Sequence, residues 1–136
     1  YLKERDCPLL IFQDKLNMLN KEPQENGTLD YCHENGIGFI SFSPLAQGLL
    51  TDRYLNGIPS DSRMAKEHFL KHSALTPELL EQLKQWNQEA GKRGETLAEM
   101  ALAWILQQKG VTSVLVGASS TAQLEKNMKC IHAKAF

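Results

Sequence analysis

Two segments of the chain, GFISFSPLAQGLL and SVLVGASSTAQLEKN, each run from a short apolar stretch into a turn of small and polar residues. In the second, Ser113 to Val116 lead into Gly117-Ala118-Ser119-Ser120, and helix-forming residues follow from Ala122. A helix start leaves backbone N–H groups unpaired and carries a partial positive charge, so a small-residue turn placed there can hold a phosphate. Two such strand ends point to a phosphate-bearing ligand lying across the carboxyl ends of neighbouring parallel strands.

The elements that must position these turns can be read from hydrophobic period and punctuation. Leu9 to Phe12 form an apolar run headed by Pro8 and stopped by Gln13-Asp14, which predicts a first strand. Thr28 to Glu34 predict a short helix ended by Gly36, and Gly38 to Phe42 a strand buried on both faces. A long polar, glycine-bearing stretch runs from Ala46 to Ser73, a length that usually marks function or disorder. Thr76-Pro77 caps a helix whose apolar positions recur through Leu79, Leu80, Leu83 and Trp86 until Gly91 and Gly94. Thr96-Leu97-Ala98-Glu99 is a capping box that opens a second helix, terminated at Gly110. Val111 to Val116 predict the third strand, and Ser119 or Ser120 caps a last helix through Cys130.

This order is the βα alternation of a parallel sheet. Three strands cannot close a barrel, and the sheet they form has two unpaired edges. The expectation is that further strands belong to the amino-terminal part of a larger parent. The 136 residues make one domain at most, against about 250 for an α/β barrel. A start of YLKERDCPLL, unlike a signal peptide or a translation start, fits a chain entered midway.

Composition excludes several classes. A net charge of −1, with lysines and arginines scattered, gives no support for a nucleic-acid or anionic-membrane partner. No apolar run reaches the length of a membrane span. Cys7, Cys32 and Cys130 share no metal or redox spacing, which predicts reduced thiols and a cytoplasmic setting. His68 and His72 sit one helical turn apart, yet no third ligand follows in pattern, so no metal site is expected.

At FSPLAQGLLTDRYLNGIPSDSR and VTSVLVGASSTAQLEKN, supported by PLLIFQ and TLAEMALAWILQQ, the chain resembles the carboxyl-terminal half of an aldo-keto reductase. Within that superfamily it is most similar to the bacterial glyceraldehyde-3-phosphate reductase and potassium-channel β-subunit types. The resemblance runs from about Pro8 to Asn127. It implies about three βα units, the last of a (β/α)8 TIM barrel that binds NADPH at the carboxyl ends of its strands. It agrees with the phosphate site that such barrels build from the loops after their last strands.

Carried over by motif position, Gln13 at the tip of the first strand holds the nicotinamide amide and Phe42 stacks on the nicotinamide ring. Ser43, Pro44, Leu45, Ala46, Gln47 and Gly48 wrap the pyrophosphate, with Arg53 and Arg63 as cationic contacts. Gly117, Ser119, Gln123 and Asn127 correspond to the adenosine end, with Ser119 near the 2′-phosphate. Lys126 is a departure, standing where relatives often carry glutamate, and Leu16 is aliphatic where some relatives are aromatic. The family's catalytic tetrad of Asp, Tyr, Lys and His lies ahead of anything matched, so Tyr31, Tyr54 and the four histidines are not its members.

The reading is therefore the cofactor-binding half of an NADPH-dependent aldehyde or ketone reductase, catalytically incomplete alone, with a small carbonyl substrate for the parent. A homo-oligomer is left open. The alternative is a regulatory module similar to the channel β-subunits. A helix-turn-helix binder is disfavoured because Leu97–Gln108 carries no arginine or lysine. Taken without the resemblance, Phe42 is equally a core residue, the Gly117–Ser120 turn a serine-capped helix start, and Arg53 and Arg63 solvated loop charges.

Overall fold

A computed structural model describes residues 3–58 and 75–136. Its frame is a three-stranded parallel sheet in the order β1 (Ile11–Lys15), β2 (Gly38–Phe42), β3 (Val111–Val114). Between β1 and β2 lie α1 (Glu22–Glu25) and α2 (Thr28–Glu34); between β2 and β3 lie α3 (Pro77–Arg93) and α4 (Leu97–Leu106). After β3 comes α5 (Thr121–Met128), continued by a 3-10 turn over Lys129–His132.

β1 starts and ends later than its apolar run suggests. The ladder pairs Ile11 with Gly38 through to Lys15 with Phe42, so Gln13 sits mid-strand opposite Ile40 rather than at the tip. Backbone pairing to β2 is indifferent to side-chain polarity, and Gln13 and Lys15 occupy the exposed face of an edge strand. β2 matches its predicted span but buries one face, not two. Phe39 and Ser41 are fully covered, whereas Gly38, Ile40 and Phe42 are only half-buried. Alternation along a strand sends neighbours to opposite faces, and among the described residues helices cover only one of them. β3 stops at Val114, although the Leu115 N–H still donates to the Ser41 carbonyl at 2.8 Å.

The covered face carries a core of Leu16, Leu29, Cys32, Phe39 and Ile105, with Phe12, Trp104 and Val111 packed on it. A second core joins Leu50, Leu83, Ala90, Leu97, Met100 and Ala101, so Leu50 anchors the segment after β2 against α3 and α4. α4 is almost wholly buried and begins with the predicted capping box. The Glu99 N–H donates to Thr96 Oγ1 at 3.2 Å, and the Thr96 N–H donates to Glu99 Oε2 at 2.8 Å. α3 runs through Gly91 and ends at Gly94, whose φ of 77° makes the left-handed cap. Gly91 has no contact that a side chain would meet, and mid-helix glycine costs only about 1 kcal/mol.

Candidate functional site: a groove between two strand-end turns

β2 delivers the chain into a turn of unusual backbone. Four of the six residues from Ser43 to Gly48 have positive φ: Ser43 at 50°, Ala46 at 47°, Gln47 at 60° and Gly48 at 99°. Such values cost about 1 kcal/mol or more apiece for residues with a Cβ, and they persist only where the surroundings hold them. Here the surroundings do so from both sides. Leu45 packs beside Leu102, Ala103 and Cys130 and, with Ala46, also onto the Leu50–Leu83–Leu97 core. The Ala46 N–H donates to the Ser43 carbonyl at 3.0 Å, the Gly48 N–H to the Leu45 carbonyl at 2.9 Å, and Thr51 Oγ1 to the Gly48 carbonyl at 2.7 Å. The Arg53 N–H then donates to Thr51 Oγ1 at 3.2 Å and opens a 3-10 turn over Asp52–Tyr54.

The opposite wall comes from β3. Past Leu115 the chain is exposed through Gly117, Ala118 and Ser119 until Ser120 caps α5, its Oγ accepting the Gln123 N–H at 3.2 Å. Of the two serines named as caps, Ser120 performs that role. Ser119 instead aims its N–H (2.7 Å) and its hydroxyl (3.0 Å) at one oxygen, Gln123 Oε1. Two donors at a helix start thus converge on one acceptor oxygen, supplied here by the Gln123 side chain.

These walls enclose a cavity of about 610 Å³ lined by Ser43, Pro44, Leu45, Gln47 and Gly48 from one turn and by Gly117, Ser119 and Gln123 from the other. Arg53 lies between them with Thr51 and Tyr54. An adjoining cavity of about 650 Å³ shares Leu45, Thr51, Arg53 and Gln123 and continues to Lys126, Asn127 and the start of α4 at Thr96 and Ala98. At that far end Asn127 is only 4% exposed, and its Nδ2 is a buried donor with no hydrogen-bond partner among the described residues. A donor left so costs about 1–3 kcal/mol and points to a group that would satisfy it.

Of the fourteen candidate cofactor-site residues read from the sequence, ten line the two cavities, and Ala118, Ser120 and Lys126 line them as well. Ala46 lies in the same turn without lining either cavity. Gln13 and Phe42 sit on the uncovered face of the sheet and line neither. Arg63, His68 and His72 fall outside the described residues. Thr51, Tyr54, Leu115 and Val116 line the first cavity but were given no ligand role, since they lie within the matched stretches without a charge or an assigned contact. Asn17, unforeseen, ties β1 to the turn, its Nδ2 donating to the Ser43 carbonyl at 2.9 Å. Cys130 is buried beneath the turn, and burial pushes its thiol pKa up. Among the described residues no cluster of metal-ligating side chains occurs, and no helix is long and apolar enough to cross a membrane.

A parallel sheet with helices, in which the turns after two neighbouring strands line one groove, places the chain in the α/β fold class. The model of the aldo/keto reductase family matches residues 1–135, and the chain belongs to that family. It is 47% identical over 140 residues to L-glyceraldehyde 3-phosphate reductase of Escherichia coli K12, covering 99% of this chain and 40% of that protein. It is 36% identical over 125 residues to a probable voltage-gated potassium channel subunit beta of Arabidopsis thaliana, covering 90% of this chain and 38% of the relative. The chain thus spans about two-fifths of the length of the curated relatives it matches. In fold it is similar to a crystallised thermostable aldo-keto reductase in complex with the inhibitor epalrestat. That match has a TM-score of 0.66 at 22% identity, over 95% of this chain and 36% of the other.

Proposed function

We propose that the chain is the carboxyl-terminal part of an NADPH-dependent aldehyde or ketone reductase, contributing the last three βα units of a (β/α)8 barrel and much of its cofactor site. One observation carries this reading: the Leu45–Gly48 turn and the Gly117–Ser119 turn face each other across one groove. That groove runs on to the unpaired Asn127 donor. Its donors fit a dinucleotide of the NADP class. Arg53 offers a planar fork for phosphate oxygens, the open backbone of Gly48 admits a diphosphate, and the two Ser119 donors, which here converge on Gln123 Oε1, would turn to an anion oxygen that displaces that side chain. Lys126 and Asn127 lie at the adenosine end, where a donor-rich lining suits a 2′-phosphate and the acceptor nitrogens of a purine.

When bound, NADPH supplies the hydride. The residues of this chain hold and orient it, which is where binding energy is converted into rate. Gln13 and Phe42, on the open face of the sheet, would meet the nicotinamide end, and Arg63 would add a second cation. The proton-transferring tetrad would come from the amino-terminal half, so the chain alone should not reduce carbonyls. The whole protein would act on a small aldehyde, consistent with the name of its Escherichia coli relative, and would do so in the cytoplasm, where the thiols of Cys7, Cys32 and Cys130 stay reduced. The 36% match to a channel β-subunit supports a second reading, a cofactor-binding regulatory module on the same groove.

The test is twofold. NADPH oxidation by the full-length protein with glyceraldehyde 3-phosphate and simple aldehydes should be measurable and should be absent from the 136-residue chain. If the full-length protein binds NADPH but turns over no carbonyl, the regulatory reading replaces the reductase one. If it binds no NADPH, both fail.

A further inference from the structure

Asn17 is fully buried just beyond the end of β1, lines neither cavity, and has no titratable group. A buried amide is retained only where its hydrogen bonds are made, and Asn17 makes them all with backbone. Its Oδ1 accepts the N–H groups of Leu19 at 3.0 Å and Asn20 at 2.9 Å. Its main chain exchanges both hydrogen bonds with Asn20, each 3.0 Å, so the loop that carries it is closed on itself. Its Nδ2 reaches across 26 residues to the Ser43 carbonyl at 2.9 Å.

That carbonyl has two tasks. It also accepts the Ala46 N–H at 3.0 Å, the bond that closes the first turn after β2. Ser43 itself stands at a φ of 50°, a conformation a serine holds only under constraint. A rigid loop at the end of one strand is thus bolted to the residue from which the positive-φ turn of the next strand departs.

We propose that Asn17 is a positioning residue for the pyrophosphate end of the groove: its side-chain amide fixes the Ser43 carbonyl and, through it, the approach angle of Pro44–Gly48. The proposal rests on the dinucleotide reading above. It assigns Asn17 no contact with the ligand and distinguishes the two ends of the groove, because the hydrogen bonds of Asn17 go to Leu19, Asn20 and Ser43 and none to α5, whose 3-10 continuation meets the turn through apolar packing of Leu45 near Cys130.

The separation gives the test. Asn17→Asp keeps the acceptor for Leu19 and Asn20 but replaces the donor to Ser43 with an oxygen and brings a buried charge; Asn17→Ala, uncharged, removes both, so a loss counts for the role only where both variants show it. Ser41→Ala is the control, deleting a buried tie between the same strand ends, Ser41 Oγ to the Leu16 carbonyl at 2.7 Å, without touching Ser43. Affinities for NADPH and for adenosine 2′,5′-bisphosphate, which lacks the diphosphate bridge and nicotinamide, are measured on the full-length protein by titration calorimetry. Both Asn17 variants should weaken NADPH about tenfold or more while holding the bisphosphate within about twofold. Ser41→Ala should leave the ratio of the two affinities unchanged. Parallel loss of both ligands, or loss of neither, overturns the positioning role while the dinucleotide reading stands. An unmodified protein that binds neither ligand overturns that reading and the proposal with it. If the variants do not fold, slow hydrogen exchange of the Asn17 side-chain amide in the unmodified NADPH complex is the required result, and rapid exchange refutes the role.

Discussion

Replacing Asn127 with leucine should move stability and affinity in opposite directions. Asn127 sits in the last turn of α5, 4% exposed, with Nδ2 buried and unpaired. Burying an amide donor without a partner costs about 1–3 kcal/mol, and leucine, with the same branched skeleton of heavy atoms but larger methyl groups that the adjoining cavity admits, removes that cost while adding apolar burial and helix propensity. The ligand-free Asn127→Leu protein should therefore unfold at a temperature higher by roughly 2–8 °C. The same donor, if it is kept for the adenosine end of a dinucleotide, contributes a bond that leucine cannot make. NADPH affinity should then fall by about 5- to 150-fold, the equivalent of about 1–3 kcal/mol. Thermal denaturation without ligand and fluorescence titration with NADPH, both on the full-length protein, read the two effects separately. A variant that is less stable and binds NADPH as before would show that the Nδ2 atom is served from within the protein and has no ligand role.

Other consequences are simpler to read. Gly48→Ala should cost about 1–2 kcal/mol of stability in urea denaturation, because a φ of 99° lies outside the left-handed well open to alanine. The added Cβ would sit 3.5 Å from Tyr54 Cε2, an ordinary contact, so an undiminished stability would mean the turn can relax. Thr96→Ala should cost about 1 kcal/mol by breaking the reciprocal cap of α4, and an effect below a few tenths would contradict that assignment. Burial first, then the Glu99 carboxylate, raises the Cys130 pKa, so the folded state holds the thiol proton longer than the unfolded chain does. That contribution is complete below the ordinary thiol pKa of about 8.5 and is lost as pH rises above it. Stability of the Cys130→Ala variant, compared with the unmodified protein across this range, should show a smaller alkaline decline. A thiol reagent at neutral pH should modify exposed Cys7 well before Cys32 or Cys130.

Much of the architecture is legible where short-range chemistry decides it. The capping box at Thr96–Glu99, the proline and threonine opening α3, and the limits of α2 and β2 follow from residues adjacent in sequence. Legibility falls where distant backbone decides. β1 is placed by its ladder to β2 and so includes Gln13, Asp14 and Lys15, which hydropathy assigns to a loop. The uncovered face of β2 could not be foreseen from FISF, since burial depends on what covers it. In the groove, the glycines, serines and Arg53 announce themselves by type and spacing. Asn17 does not, because an asparagine in a polar stretch gains its meaning only from a carbonyl 26 residues away. Tyr54 is likewise buried beside Gly48 for packing reasons that no motif encodes.

The most direct measurement is a crystal structure of the full-length protein with NADPH. The diphosphate should lie against Leu45–Gly48 within reach of Arg53, and the adenosine should run toward Ser119, Gln123 and Asn127, with the Asn127 amide donating to it. A dinucleotide bound elsewhere, or this groove empty while NADPH saturates the protein, would contradict the account.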